Sequence, residues 1–272
     1  MPKTTTYLRG AENSQGAGQD FVGDLYDAAG NIVFLSETVE SHTLLELNER
    51  RVEWVPVGRD CAVPDMYCIV ARANGGCRAF FWNPDGTPEA ICGNALRTIA
   101  HYGLSVYGIS EQIVMTAAGA LHVAVLDGDS CCELPVCAVT EYPGARNAYF
   151  VNPGTPHVVQ VVDSIDDPNW VERGRWWTEQ HLSATYVQRC SNDRLRVRTF
   201  ERGVGETGSC ATGAFSAYLL VTHLFPTSGR TAPVLAEYRS GNSLTLARVG
   251  RSVRVRGRCD LMVRSMRVSA HS

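Results

Sequence analysis

Two stretches of this chain repeat one design, and any fold it adopts must build that design twice. In the first, Cys92 lies nine residues after the start of Asn83-Pro84-Asp85-Gly86. Gly93-Asn94 then opens a run carrying Leu96, Ile99, Ala100, Leu104 and Val106. In the second, Cys210 lies nine residues after Glu201-Arg202, and Ala214, Phe215, Ala217, Tyr218, Leu219, Leu220 and Val221 follow. Both runs read as helices, the second one buried. Each cysteine therefore falls at a helix N-terminus, where unpaired backbone N–H groups and the helix dipole favour anions. One cysteine so placed is ordinary. Two in matching contexts, 118 residues apart, predict two lobes that contribute one thiol each.

Between these points the chain reads as short strands, with turn residues dividing them. They are expected at 21–26, 66–71, 78–82, 112–116, 120–126, 132–139, 148–151, 158–162, 184–189, 195–200, 234–238, 243–249, 252–256 and 261–268. Helices are expected over 38–52 and 170–182, the second weakened by Arg173-Gly174-Arg175. No regular βαβ rhythm appears, so a doubly wound sheet is not expected. The predicted class is α+β, with two pseudo-symmetric lobes, each a twisted, mostly antiparallel sheet around a central helix. The first lobe is assigned to residues 1–142 and the second to 143–259, and the last strand, from about 260 to 272, is a candidate to return to the first lobe. The boundary rests on the Tyr142-Pro143-Gly144-Ala145-Arg146-Asn147 break.

Composition excludes several classes. A formal net charge of −3 gives no basic excess for nucleic acid, and no apolar run approaches the roughly 20 residues that span a bilayer. The first residues carry no signal-peptide pattern, so a cytoplasmic location is expected. The ten cysteines show no C-x-x-C pair, so neither a zinc site nor a disulfide framework is expected. Cys68 and Cys190 read as small buried hydrophobes. No G-x-G-x-x-G or P-loop occurs, and Lys3 is the sole lysine. No cofactor is expected, pyridoxal phosphate included.

A cysteine thiol titrates near 8.5 and drops to roughly 3.5–7.5 at helix N-termini, so both thiols are expected to be acidic and readily oxidised to a shared disulfide. If the sulfurs face each other across a cleft, one thiolate removes a proton from carbon and the opposite thiol returns one to the other face. The N–H groups of Gly93, Asn94, Ala211 and Thr212 are suited to hold the carboxylate of the resulting carbanion.

These motifs resemble those of the diaminopimelate epimerases and related pyridoxal-phosphate-independent amino-acid racemases, over nearly the whole chain. Asn83-Pro84-Asp85-Gly86 with Cys92-Gly93-Asn94 is similar to the family's first catalytic motif. Glu201-Arg202-Gly203, Gly205-Glu206-Thr207 and Cys210-Ala211-Thr212-Gly213 are similar to its second, and Pro156-His157 matches its Asn-Pro-His turn. The resemblance implies Cys92 and Cys210 as the acid–base pair and His157 and Glu201 as groups that tune it. It implies Asn83 and Arg202 at the far end of a small amino-acid substrate, and a homodimer. Four positions depart from the family. Gln19, Thr155 and Ser183 stand where it carries Asn, and Met66 where it carries Gln. Amides donate and accept hydrogen bonds, whereas a thioether does little of either. Recognition is thus expected to differ while the chemistry stays, giving an epimerase or racemase of another amino acid, with diaminopimelate itself as the alternative.

Blander readings exist for each residue. Either cysteine alone reads as a buried structural thiol, His157 alone as a structural histidine, Glu201-Arg202 as a solvated strand end, and Trp176-Trp177 as packing. Other function classes are an isomerase of the phenazine-pathway branch, which lacks the cysteine pair, a cysteine hydrolase using Cys210 with His157, and a thiol redox sensor.

Overall fold

The computed structural model describes residues 19–38, 41–49, 51–57, 63–73, 76–226 and 232–271. Gly16 to Gly18, Cys61 and Lys3 lie outside them, as do parts of the helix expected over 38–52.

The first half runs β1 (Gln19–Asp27), β2 (Ile32–Thr38), α1 (Ser41–Asn48), β3 (Glu53–Val57), β4 (Met66–Ala73), β5 (Gly76–Trp82), β6 (Pro88–Glu89), α2 (Gly93–Tyr107), β7 (Glu111–Thr116), β8 (Gly119–Leu126) and β9 (Asp129–Pro135). The second runs β10 (Val139–Glu141), β11 (Tyr149–Val151), β12 (His157–Val161), α3 (Asn169–Glu179), β13 (Ser183–Arg189), β14 (Arg194–Glu201), β15 (Gly205–Glu206), α4 (Ala211–Leu224), β16 (Val234–Tyr238), β17 (Ser243–Val249) and β18 (Ser252–Gly257). A last strand, β19 (Asp260–His271), pairs with β1 and β3.

The halves share one ladder pattern. β2–β4 is parallel, β4–β5 antiparallel, β5–β7 parallel, and β7–β8 and β8–β9 antiparallel. The series β12–β13, β13–β14, β14–β16, β16–β17, β17–β18 repeats that order. The equivalent strands β9 and β18 then pair antiparallel and join the sheets. This is the expected α+β, two-lobed architecture. The parallel pairs were not anticipated. They arise because the chain crosses over between those strands, by way of α1, α2, α3 and α4, and a parallel pair needs such a crossover.

Each central helix is apolar where its sheet wraps it. Leu96, Ile99 and Ala100 of α2 are buried, as is every residue of α4 from Ala211 to Val221. Leu104 and Val106 are exposed instead, because they lie in the last turns of α2. Gly108 ends that helix in the left-handed conformation (φ 69°), its N–H bonded to the Leu104 carbonyl at 3.0 Å, an arrangement that suits glycine. Gly174 is no defect in α3. A Cβ there would lie 2.3 Å from the Phe200 ring, so glycine lets the helix lie against the sheet.

Several elements differ from the sequence expectation. The 38–52 helix reduces to α1, and β3 follows as an edge strand in which Pro56 is tolerated. The unforeseen β2 opens on the apolar run Ile32 to Leu35, of which Val33, Phe34 and Leu35 are buried, between a parallel neighbour, β4, and α2. The strand expected over 132–139 breaks after Pro135 into β9 and β10. Cys68 is buried as expected. Cys190 is exposed, since β13 has ended at Arg189. Trp177 is buried while Trp176 is exposed. Among the described residues no helix is long and apolar enough to cross a membrane.

Candidate active site

Cys92 and Cys210 cap their helices in the same way. Their backbones are extended, at φ −134°, ψ 113° and φ −138°, ψ 115°, and each sulfur accepts an N–H three residues on. The Ala95 N–H reaches Cys92 Sγ at 3.5 Å, and the Gly213 N–H reaches Cys210 Sγ at 3.3 Å. The two helix starts abut. A Cβ added at Gly93 would come within 2.7 Å of the Ala211 Cβ. Asn94 fastens the junction, donating to the Ser209 carbonyl at 3.0 Å and accepting from Arg97 at 2.8 Å. Two positive helix ends thus converge on one small cavity, suited to a carboxylate.

That cavity is lined by both cysteines and by Asn83, Gly93, Asn94, Thr155, Ser183, Glu201, Arg202, Ala211 and Thr212. Met66 also lines it, as do Glu89 and Ile91, which the sequence reading passed over. Gln19 is not among the lining residues; it opens β1 opposite Ala270. His157 lies one layer behind, fully buried. Its Nδ1 meets Thr185 Oγ1 and its Nε2 meets Thr212 Oγ1, each at 3.0 Å. Thr212 Oγ1 in turn lies 3.3 Å from Cys210 Sγ. The thiol therefore reaches the imidazole only through a hydroxyl.

The electrostatics are asymmetric. Cys210 Sγ donates to Glu201 Oε2 at 3.1 Å, while Thr207 Oγ1 donates to Oε1 of the same carboxylate at 2.5 Å. Burial raises Glu201 to about 7, against the pull of those two bonds. Burial lowers His157 to about 3, so its ring is neutral near pH 7. The expectation of acidic thiols is corrected. Burial pushes Cys92 up to about 12, helped by the Glu201 charge and opposed by the Ala95 and Asn94 N–H groups. Burial likewise pushes Cys210 well above its ordinary value, with the Glu201 charge next in importance. The helix ends are present as expected, but removing the thiols from water outweighs them. Ready oxidation is therefore not expected of this closed site. Cys92 and Cys210 should alkylate with iodoacetamide at pH 7.5 more slowly than exposed Cys190. Mass mapping that finds the pair modified first would contradict this account.

Thr155 and Ser183 make short structural bonds in the cavity wall. Thr155 Oγ1 donates to the Ile91 carbonyl at 3.0 Å, and Ser183 Oγ accepts the Arg202 N–H at 3.2 Å. Glu89 is the larger omission. It is 7% exposed and binds both Asn83 and Arg202. A signal existed, since it is the only charged residue between Gly86 and Ile91. Among the described residues no cluster of His, Cys, Asp or Glu is placed to hold a metal.

No family model matches the chain. It is 31% identical over 173 residues to a diaminopimelate epimerase from Zymomonas mobilis, covering 55% of this chain and 62% of the relative. It is 32% identical over 152 residues to one from Methanopyrus kandleri, covering 53% of each. The matched region thus spans little more than half the length of these two relatives. Among solved structures, a hydroxyproline epimerase from Agrobacterium vitis superposes with a TM-score of 0.64 at 13% identity, covering 92% of both chains. A phenazine biosynthesis protein of the PhzF family from Enterococcus faecalis gives 0.60 at 13%, covering 93% of this chain and all of that one. The chain is therefore a relative of the diaminopimelate epimerases in sequence, and it has the two-lobed fold of these structures.

Proposed function

We propose that the chain is a cofactor-independent amino-acid epimerase or racemase that inverts the α-carbon by proton transfer between Cys92 and Cys210. The observation that carries this reading is the pair of identical thiol caps on two abutting helix ends, both lining one cavity. The α-carboxylate sits against the first-turn N–H groups of Gly93, Asn94, Ala211 and Thr212. Glu201 accepts the Cys210 proton, and the resulting thiolate removes the α-proton. The electron pair is delocalised into the carboxylate, which the helix ends stabilise. The Cys92 thiol then gives its proton to the opposite face of the carbon. The reverse direction exchanges the two roles. His157 is a positioning residue, holding Thr212 against Cys210. Thr155 and Ser183 shape the wall, and Gln19 is proposed to reach the substrate only if the entrance closes over it.

A cysteine hydrolase would pair Cys210 directly with a histidine, and here Thr212 stands between them. The free cysteines among the described residues support a reducing, cytoplasmic location. The lobe boundary is proposed between β9 and β10 rather than at 142, because β10 pairs with β11; the first lobe then ends with β9 and takes in β19, and the second runs from β10 to β18. A homodimer is proposed from the resemblance alone; Val22 and Val57 are exposed, but Arg267 of β19 lies between them.

The test is α-proton exchange by NMR in D₂O over a panel of L-amino acids, with reductant and without pyridoxal phosphate. Exchange accompanied by inversion for at least one member is expected. No exchange by any member, with thiols shown to be reduced, counts against the reading. The pH dependence follows from Glu201. Below about 7 its carboxyl is protonated and cannot accept the Cys210 proton, so kcat/KM should fall on the acid side of that value. Glu201→Gln should lose this limb together with ~10²-fold or more of the rate. An unchanged acid limb in that variant would assign it to another group.

A further inference from the structure

We propose that Glu89 sets the substrate class: it occupies Arg202 with its own carboxylate, so the amino acid turned over carries no side-chain carboxylate and ends in a hydrogen-bond donor. The inference rests on the epimerase reading above and concerns the end of the cavity away from the thiols.

Arg202, from the second lobe, places Nε at 3.1 Å and Nη2 at 2.5 Å from Glu89 Oε1, in the first lobe. Asn83 Nδ2 donates to the same oxygen at 2.8 Å and to Thr87 Oγ1 at 3.0 Å. The guanidinium edge that would grip a substrate carboxylate in a fork is thus already engaged. Nη1 is left, but one donor beside a fixed carboxylate does not make a carboxylate site. A second carboxylate arriving there would face Glu89 at close range, a repulsive element of the kind that excludes unwanted ligands.

What remains favours donors. Among the described residues the three hydrogen bonds to Glu89 fall on Oε1, and none of these donors is bonded to Oε2. Asn83 has committed its N–H₂ group and keeps its carbonyl oxygen. Both residues line the cavity, and their neighbours Met66 and Ile91 offer no donor to a substrate acceptor. A side chain ending in a hydroxyl, amide, imidazole or amine satisfies these acceptors. One ending in a carboxylate leaves them unpaired and adds charge repulsion.

The experiment compares two groups of substrates by α-proton exchange. Histidine, ornithine, arginine, glutamine and serine end in donors, whereas glutamate and LL-diaminopimelate carry side-chain carboxylates. In the wild type, the best donor-ended member should exceed both carboxylates in kcat/KM by about 100-fold or more. Glu89→Gln, which keeps the shape and releases Arg202, should narrow that ratio by about tenfold or more. Faster turnover of glutamate or diaminopimelate than of every donor-ended member by the wild type overturns the inference while leaving the two-thiol chemistry standing. Calorimetry with glutarate separates the two readings further. Binding at least about tenfold tighter to Glu89→Gln than to the wild type is expected, and equal affinities overturn the role of Glu89 even where no amino acid exchanges. Should the variant fail to fold, the wild-type panel alone decides.

Discussion

Cys92→Ala and Cys210→Ala should each lower the rate of inversion by about 10²–10⁴-fold, the usual contribution of one positioned acid or base. The two losses differ in kind. With Cys92 removed, the Glu201-linked thiol at Cys210 still faces one side of the α-carbon. It can exchange the proton of the enantiomer that presents hydrogen to it, without inverting the centre. With Cys210 removed, the remaining thiol has no carboxylate hydrogen-bonded to it among the described residues, and burial holds it at about 12. That variant should be the weaker in exchange as well. Offering each enantiomer separately and following deuterium uptake with chiral chromatography distinguishes these outcomes. A Cys92→Ala protein that still inverts at the wild-type rate would leave a one-base or nucleophilic mechanism through Cys210 as the working chemistry.

Gly93→Ala is expected to remove most activity although residue 93 has no side chain to take part in it. The added methyl would lie 2.7 Å from the Ala211 Cβ, where real side chains do not approach. One helix start must move away from the other, and each start carries one sulfur and half of the carboxylate cradle. A displacement on the order of 1 Å in such a site costs roughly 10²-fold in rate. Overpacking of this kind also costs about 1–3 kcal/mol of stability. The melting temperature should drop by several degrees, with a folded protein remaining. Ala211→Gly in the same chain removes the opposing methyl and should restore part of the rate. Full activity in Gly93→Ala would show that the helix ends tolerate separation, against the close-contact account.

The linear chain carried a good deal of this. The repeated nine-residue spacing before Cys92 and Cys210, each followed by an apolar helical run, is a local pattern. Capping and the apolar periodicity of a helix are set by residues close in sequence, so both caps and both central helices could be read directly. Most antiparallel strands were readable for the same reason, from apolar runs divided by turn residues. The sequence by itself also determined most of the residue types of the cavity, because its two motifs supply nine of the fourteen lining residues.

Other features required the folded chain. The parallel ladders β2–β4 and β12–β13 join strands separated by a helix, and nothing local marks that pairing. The direction of the thiol shifts was misjudged from sequence. The local helix end favours the thiolate, but the water excluded by both lobes together has the larger effect. Glu89 and Arg202 are 113 positions apart, so nothing local in the sequence marked that ion pair. The sequence determined which groups could carry out proton transfer. Tertiary structure decided their solvation and their partners, since burial and long-range charge pairing depend on the whole packed chain.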